Sequence, residues 1–229
     1  MPSRRRITQL VVGLVTAGVG LALGVRGELG LGPWDVLHQG LSEDTGVPMG
    51  MVVIAVGAVV LLAWVPLRQR LGVGTVLNVF IVGAVLDLSL AVLPRVHGLP
   101  GRWAAMVAGV VAVGLGSGLY LGAGLGPGPR DGLMTALAAR GASVRLVRTA
   151  IELSALALGW FLGGTVGVGT VVFALAIGPL VQLFLHRFTL DLRDRPPAAG
   201  WPRGGRRPLQ PPKAAPPWLA ARASDSSPR

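Results

Sequence analysis

The amino-acid sequence predicts an all-α membrane protein of about six transmembrane helices, built as two inverted three-helix repeats with one further short helix in each. Three observations carry this. Of 229 residues, 52% are hydrophobic and only 14% charged, with 35 glycines, whereas a soluble domain carries about a quarter charged residues. Six apolar runs come near the ~20 residues that a helix needs to cross a ~30 Å hydrocarbon core. Finally, Gly-Val-Gly-Thr-Val occurs twice, at 72–76 and 167–171, each copy at the head of a run.

The runs cover 7–25, 49–65, 72–93, 103–121, 144–162 and 166–185. The second is shorter than its neighbours, and the fifth contains Arg145, Arg148 and Glu152. All are rich in Gly and Val without polar alternation, which favours helices over the alternating ~10-residue strands of a barrel. Residues 1–6 form a cytoplasmic start, 7–93 the first repeat, 94–102 a linker and 103–186 the second repeat. The remainder, 187–229, holds nine prolines and little apolar sequence. Such a tail cannot bury a core and is expected to be disordered, basic and cytoplasmic.

The net charge of +11 gathers largely at Arg4–Arg6 and beyond Arg187. Positive charge flanking spans marks the cytoplasmic side, so nucleic acid is not an expected partner and the lipid bilayer is. With Arg4–Arg6 inside, six spans place Arg68, Arg70, residues 123–143 and the tail inside. Residues 26–48, with Glu28, Asp35, Glu43 and Asp44, then lie outside, and only Arg95 and Arg102 dissent. The opening Pro-Ser-Arg-Arg-Arg resembles a twin-arginine signal, but no small-residue cleavage site follows the first run, so that helix is expected to be retained.

The repeat is defined by two matches in the same order. Gly32-Pro33-Trp34-Asp35 lies 96 residues before Gly128-Pro129-Arg130-Asp131, and the two Gly-Val-Gly-Thr-Val copies lie 95 apart. Three spans per repeat is an odd number, so the second copy must enter the membrane from the opposite side. Inverted repeats of this kind are common in secondary transporters, with sites where the halves meet.

Each Gly-Pro-x-Asp stretch suits a helix start. Pro fits the first helical position, and Asp in the first turn meets the positive end of the helix dipole. Asp35 and Asp131 are therefore either helix-capping residues or, if the short helices re-enter the membrane, carboxylates lining a shared pathway. The glycines of the motifs, Gly32, Gly72, Gly74, Gly128, Gly167 and Gly169, permit close helix approach, while Thr75 and Thr170 either cap the helices they open or line a pore or anion site. Thr165–Gly169 looks like a potassium-channel filter, but Val168 stands at the aromatic position and no pore helix precedes it. Among polar residues inside spans, Asn78 and Asp87 lie on the third, and Asp87 aligns with Gln182 on the sixth. Arg148 and Glu152 are spaced to pair along one helix face. His38, three residues after Asp35, could share its face.

No catalytic residue, cofactor or metal is expected. Cysteine is absent, which removes thiolate chemistry and Cys-ligated metals. The Gly-rich stretches at 114–118 and 126–128 lie outside any strand-to-helix turn and lack the lysine of a phosphate loop.

The set formed by GLGPWDVL at 30–37, LGVGT at 71–75, GLGPGPRDGLM at 124–134 and GGTVGVGTV at 163–171 resembles the YczE/YitT-type bacterial integral membrane proteins, most closely the YczE branch. The resemblance spans residues 7–188 and implies a multi-span protein of the bacterial plasma membrane, with no substrate attached. The expected function is a permease for an unidentified small solute or ion, its pathway lined by Asp35, Asp131 and the Gly-Thr motifs. The alternative is a non-transporting membrane scaffold or regulator acting through partner proteins. Small chains of this type often pair, so a homodimer is expected.

Overall fold

The computed structural model describes residues 3–69, 71–141 and 143–189, which form eight α-helices and no strand. Arg70 and the tail from 190 onward, both assigned to the cytoplasmic side from sequence, lie outside the described residues. The helices are α1 (Arg4–Gly27), α2 (Pro33–Thr45), α3 (Met49–Trp64), α4 (Val73–Val92), α5 (Leu99–Gly122), α6 (Pro129–Ala138), α7 (Val144–Phe161) and α8 (Val168–Phe188). Their ends follow local chemistry. Gly46, at φ +70°, stops α2, and its N–H donates to Ser42 O. Leu93 turns extended before Pro94 and stops α4, as a residue preceding proline avoids the helical region.

Helices α1, α4, α5 and α8 are long and apolar enough to cross a membrane, and α2 with α3, bent by 116°, make a fifth candidate as one broken span. The expectation of six separate spans meets two obstacles. Helix α3 has 16 residues, about 24 Å at 1.5 Å per residue. Helix α7 carries Arg145, Arg148 and Glu152 in its 18 residues. Large apolar side chains nevertheless face outward, among them Phe80 and Leu88 on α4, Leu153 and Phe161 on α7, and Leu175 and Leu183 on α8. A surface of this kind is stable against lipid and not against water.

The centre of the molecule is the crossing of α1 with α5. A Cβ on Gly13 would lie 2.8 Å from Gly116 O, and one on Gly20 would lie 2.9 Å from Gly109 O. Position rises along α1 as it falls along α5, so the helices run antiparallel. Gly13 and Gly109 are 96 residues apart, as are Gly20 and Gly116. The two close approaches are thus repeat equivalents of each other. Around this crossing α4 lies parallel to α1, with Gly18 against Val85. Helix α8 lies parallel to α5, with Gly114 against Leu180.

One repeat-related pair breaks the pattern. In the first half α3 packs on α4: Gly57 sits against Val79, Gly83 against Ile54, and both carboxylate oxygens of Asp87 accept from the N–H groups of Gly50 (2.6 Å) and Met51 (3.1 Å). In the second half, Gly178, the counterpart of Gly83, has open space where a Cβ would be. Gln182, the counterpart of Asp87, is exposed. Helices α7 and α8 therefore stand apart where α3 and α4 are closed.

Candidate functional site

Both Gly-Pro-x-Asp stretches open short helices. Gly32 and Gly128 are extended caps, Pro33 and Pro129 take the first helical position, and Asp35 and Asp131 stand in the first turn. The loops before them are held by the Gly-Val-Gly-Thr motif of the opposite half. Gly74 N–H donates to Leu125 O (2.9 Å), and Gly169 N–H donates to Leu29 O (2.7 Å). The next residue in each loop must be glycine. Gly126 has φ +132° and Gly30 has φ +108°, values costly for any side chain. A Cβ would lie 2.6 Å from Thr75 Oγ1 at Gly126, and 2.5 Å from Gly167 N at Gly30. The repeated motifs thus form a reciprocal clasp.

The two threonines differ within it. Thr75 is fully buried and donates to Pro127 O across the clasp (2.8 Å). Thr170 Oγ1 accepts from the nearby Gly167 N–H (3.2 Å), while Gln39 braces that side by exchanging hydrogen bonds with Thr165 (3.0 and 2.9 Å). Thr75→Val should therefore lower the thermal unfolding midpoint of the detergent-solubilised protein more than Thr170→Val. The loss should be about 0.6–1.7 kcal/mol, the range for hydrogen bonds between membrane helices.

The clasps bring the first turns of α2 and α6 together. Trp34 and Arg130 occupy the same variable position in the two repeat copies, and the Arg130 guanidinium carbon lies 5.6 Å from the Trp34 ring centroid, a cation–π distance. Both line an open-mouthed cavity together with His38, Asn78, Pro129 and a wall of valines from α3 and α4. Trp34 is 8% exposed and its Nε1 has no hydrogen-bond partner among the described residues, and the same holds for His38 Nδ1 at 4% exposure. Asp35, 3% exposed, has its Oδ1 3.6 Å from His38 Nδ1 and otherwise unpartnered among the described residues. It faces a second, apolar cavity with Leu21, Met106 and Phe173. Asp131 accepts from Tyr120 O–H (3.2 Å).

The residues singled out from sequence therefore divide. Asp35, Asp131 and Asn78 gather at the junction of the short helices, and Thr75, Thr170 and the six glycines build the clasps and caps that fix it. Asp87 lies away from the junction, capping α3. Gln182 faces outward on α8, and Arg148 pairs with Glu152 (2.9 Å) on the exposed face of α7. Sequence reasoning missed Trp34, Arg130, Tyr120 and Trp64 as members of the site. The signal available for the first two was their position inside the repeated Gly-Pro-x-Asp. Trp64, 1% exposed, donates from Nε1 to Pro129 O (3.1 Å) and holds α6 against α3.

Residues 4–186 match the model of DUF6198, a family of unknown function. The chain belongs to this family. It is 39% identical over 183 residues to an uncharacterized protein of Haemophilus influenzae, covering 80% of this chain and 84% of that one. It is 34% identical to the Bacillus subtilis uncharacterized membrane protein YczE, covering 79% and 85%. A second Bacillus subtilis protein, YyaS, also uncharacterized, is 27% identical over 76% of this chain and 89% of its own length. No solved structure matches. The YczE relationship agrees with the motif resemblance, and the family match ends at residue 186, so the Pro-rich tail lies outside it.

Proposed function

We propose that this membrane protein is a small-solute or ion permease of the bacterial plasma membrane, not an enzyme, made of two inverted three-helix repeats with both termini cytoplasmic. The observation that carries the reading is the junction where both Gly-Pro-x-Asp helices meet, on a cavity lined by Trp34, His38, Asn78 and Arg130, with buried polar atoms of Trp34, Asp35 and His38 unpartnered beside it among the described residues. Polar groups left unpaired inside a membrane protein are expensive, and they mark ligand or ion pathways. Helix directions support the inverted arrangement: α5 opposes α1, while α4 follows α1 and α8 follows α5. If α2 and α6 dip into the membrane without crossing, α1, α3 and α4 cross in alternation, and α5, α7 and α8 do so in the opposite sense. The closed α3–α4 pair and the open α7–α8 pair support a further step. One sequence pattern holds two packings, as alternating access needs.

The cysteine-free chain allows a direct test. Asp44 and Arg140, both exposed, are repeat counterparts 96 residues apart at the far ends of the two short helices. In Asp44→Cys, a membrane-impermeant thiol reagent should label only from outside intact cells. In Arg140→Cys, it should label only inverted vesicles. Labelling of both from one side would rule out inversion. Opposite labelling with no solute-dependent change in reactivity, and no flux in proteoliposomes, would favour the scaffold instead.

A further inference from the structure

The cavity between α2, α3, α4 and α6 contains one charged lining residue, Arg130. Its guanidinium has no hydrogen bond or carboxylate partner among the described residues, and its one specific contact is the face of Trp34. Asp131 does not fill this role. Adjacent helical positions do not face each other, and its carboxylate is engaged by Tyr120. Asp35 faces the neighbouring apolar cavity, with His38 beside it. The pocket thus combines a half-buried guanidinium that forms no ion pair among the described residues and the side-chain amide of Asn78 with an apolar wall of Val53, Val56, Val60, Val79 and Val82.

Arg130 is half-buried, and a guanidinium fork matches a carboxylate with two parallel hydrogen bonds. Valines on the facing wall match a short aliphatic body and offer nothing to a second polar group. We propose that this cavity binds a small organic monocarboxylate, its carboxylate on Arg130, its alkyl chain against the valines. An ammonium ion would meet the guanidinium as a like charge, and a bare inorganic anion would leave the apolar wall unused. The proposal rests on the permease reading for the use of the site, but binding is measurable without transport.

The test uses the full chain purified in detergent. Thermal unfolding and tryptophan fluorescence are followed against sodium acetate, butyrate and hexanoate, with matching alkylammonium chlorides and sodium chloride as controls. Saturable stabilisation by butyrate and hexanoate, weaker with acetate and absent with both controls, is the expected result. Arg130→Gln should weaken it about tenfold or more, the scale for losing a charge-assisted hydrogen bond worth ~1.5–3 kcal/mol. If that variant does not fold, Arg130→Lys, which keeps the charge and loses the fork, should weaken binding, and Asn78→Leu should weaken it less. Stabilisation by the amines, by chloride alone, by carboxylates equally in the Arg130 variants, or by none of the probes overturns the proposal. Carboxylate binding without flux in proteoliposomes would leave the site standing and remove the permease. Flux of another solute without carboxylate binding would do the reverse.

Discussion

Gly116→Leu should abolish recovery of monodisperse protein from membranes, and Gly20→Leu should do the same, whereas Gly178→Leu should be recovered like the parent. All three glycines lie in apolar helices and look alike in sequence. They differ in what stands opposite. A Cβ on Gly116 would lie 2.5 Å from Gly13 O and 2.6 Å from Ala17 N, and one on Gly20 would lie 2.8 Å from Val113 N. These neighbours are backbone atoms, so no side chain can rotate away and the helices themselves must separate. Overpacking commonly costs ~1–3 kcal/mol. A forced separation of α1 from α5 sits at or above the top of that range, roughly a hundredfold in the folding equilibrium at 1.4 kcal/mol per tenfold. Close backbone approach through small residues is also a main source of helix association in lipid, so little else replaces it. Gly178 has nothing within 4 Å, and its substitution adds only apolar surface. Size-exclusion profiles of fluorescent fusions measure all three. Equal loss at Gly178 would mean that α7 and α8 close on each other as α3 and α4 do.

Trp64→Ala should be the most damaging truncation among the described residues that line neither cavity. Trp64 fills the space above Gly132, where any Cβ would collide with its ring, and its Nε1 donates to Pro129 O. Truncation removes the largest fully buried side chain and frees α6, with an expected loss of about 3–5 kcal/mol. Trp64→Phe keeps most of the volume and should lose ~1 kcal/mol, as for one hydrogen bond. The other half suggests a sharper experiment. Val36, the counterpart of Gly132 96 residues earlier, is met in that half by a glycine, Gly159 lying against the Val36–Leu37 backbone. Gly132→Val alone should therefore destabilise strongly, and Trp64→Gly with Gly132→Val should recover part of the loss. Additive damage in the double variant would show that the two interfaces are not interchangeable.

Much of this architecture was legible in one dimension. Composition gave the membrane class because apolar residues are cheap only where water is absent. The 95- and 96-residue offsets exposed the repeat, and Gly-Pro-x-Asp announced short helices because cap, proline and first-turn carboxylate act locally. What the repeated pentapeptide does was not legible. Its glycines accept the loop of the opposite half, a relation between segments some 50 to 140 residues apart that no local preference encodes. The same holds for Trp34 and Arg130, which sit at the variable position of the motif and acquire meaning only when two helices bring them face to face. The sequence by itself determined that there would be two copies of one pattern in a membrane. The tertiary structure alone decided that Asp87 caps a helix while Gln182 caps none, and that Gly83 is covered while Gly178 is open. Side chains report their own preferences, but the space opposite them is set by how distant helices cross.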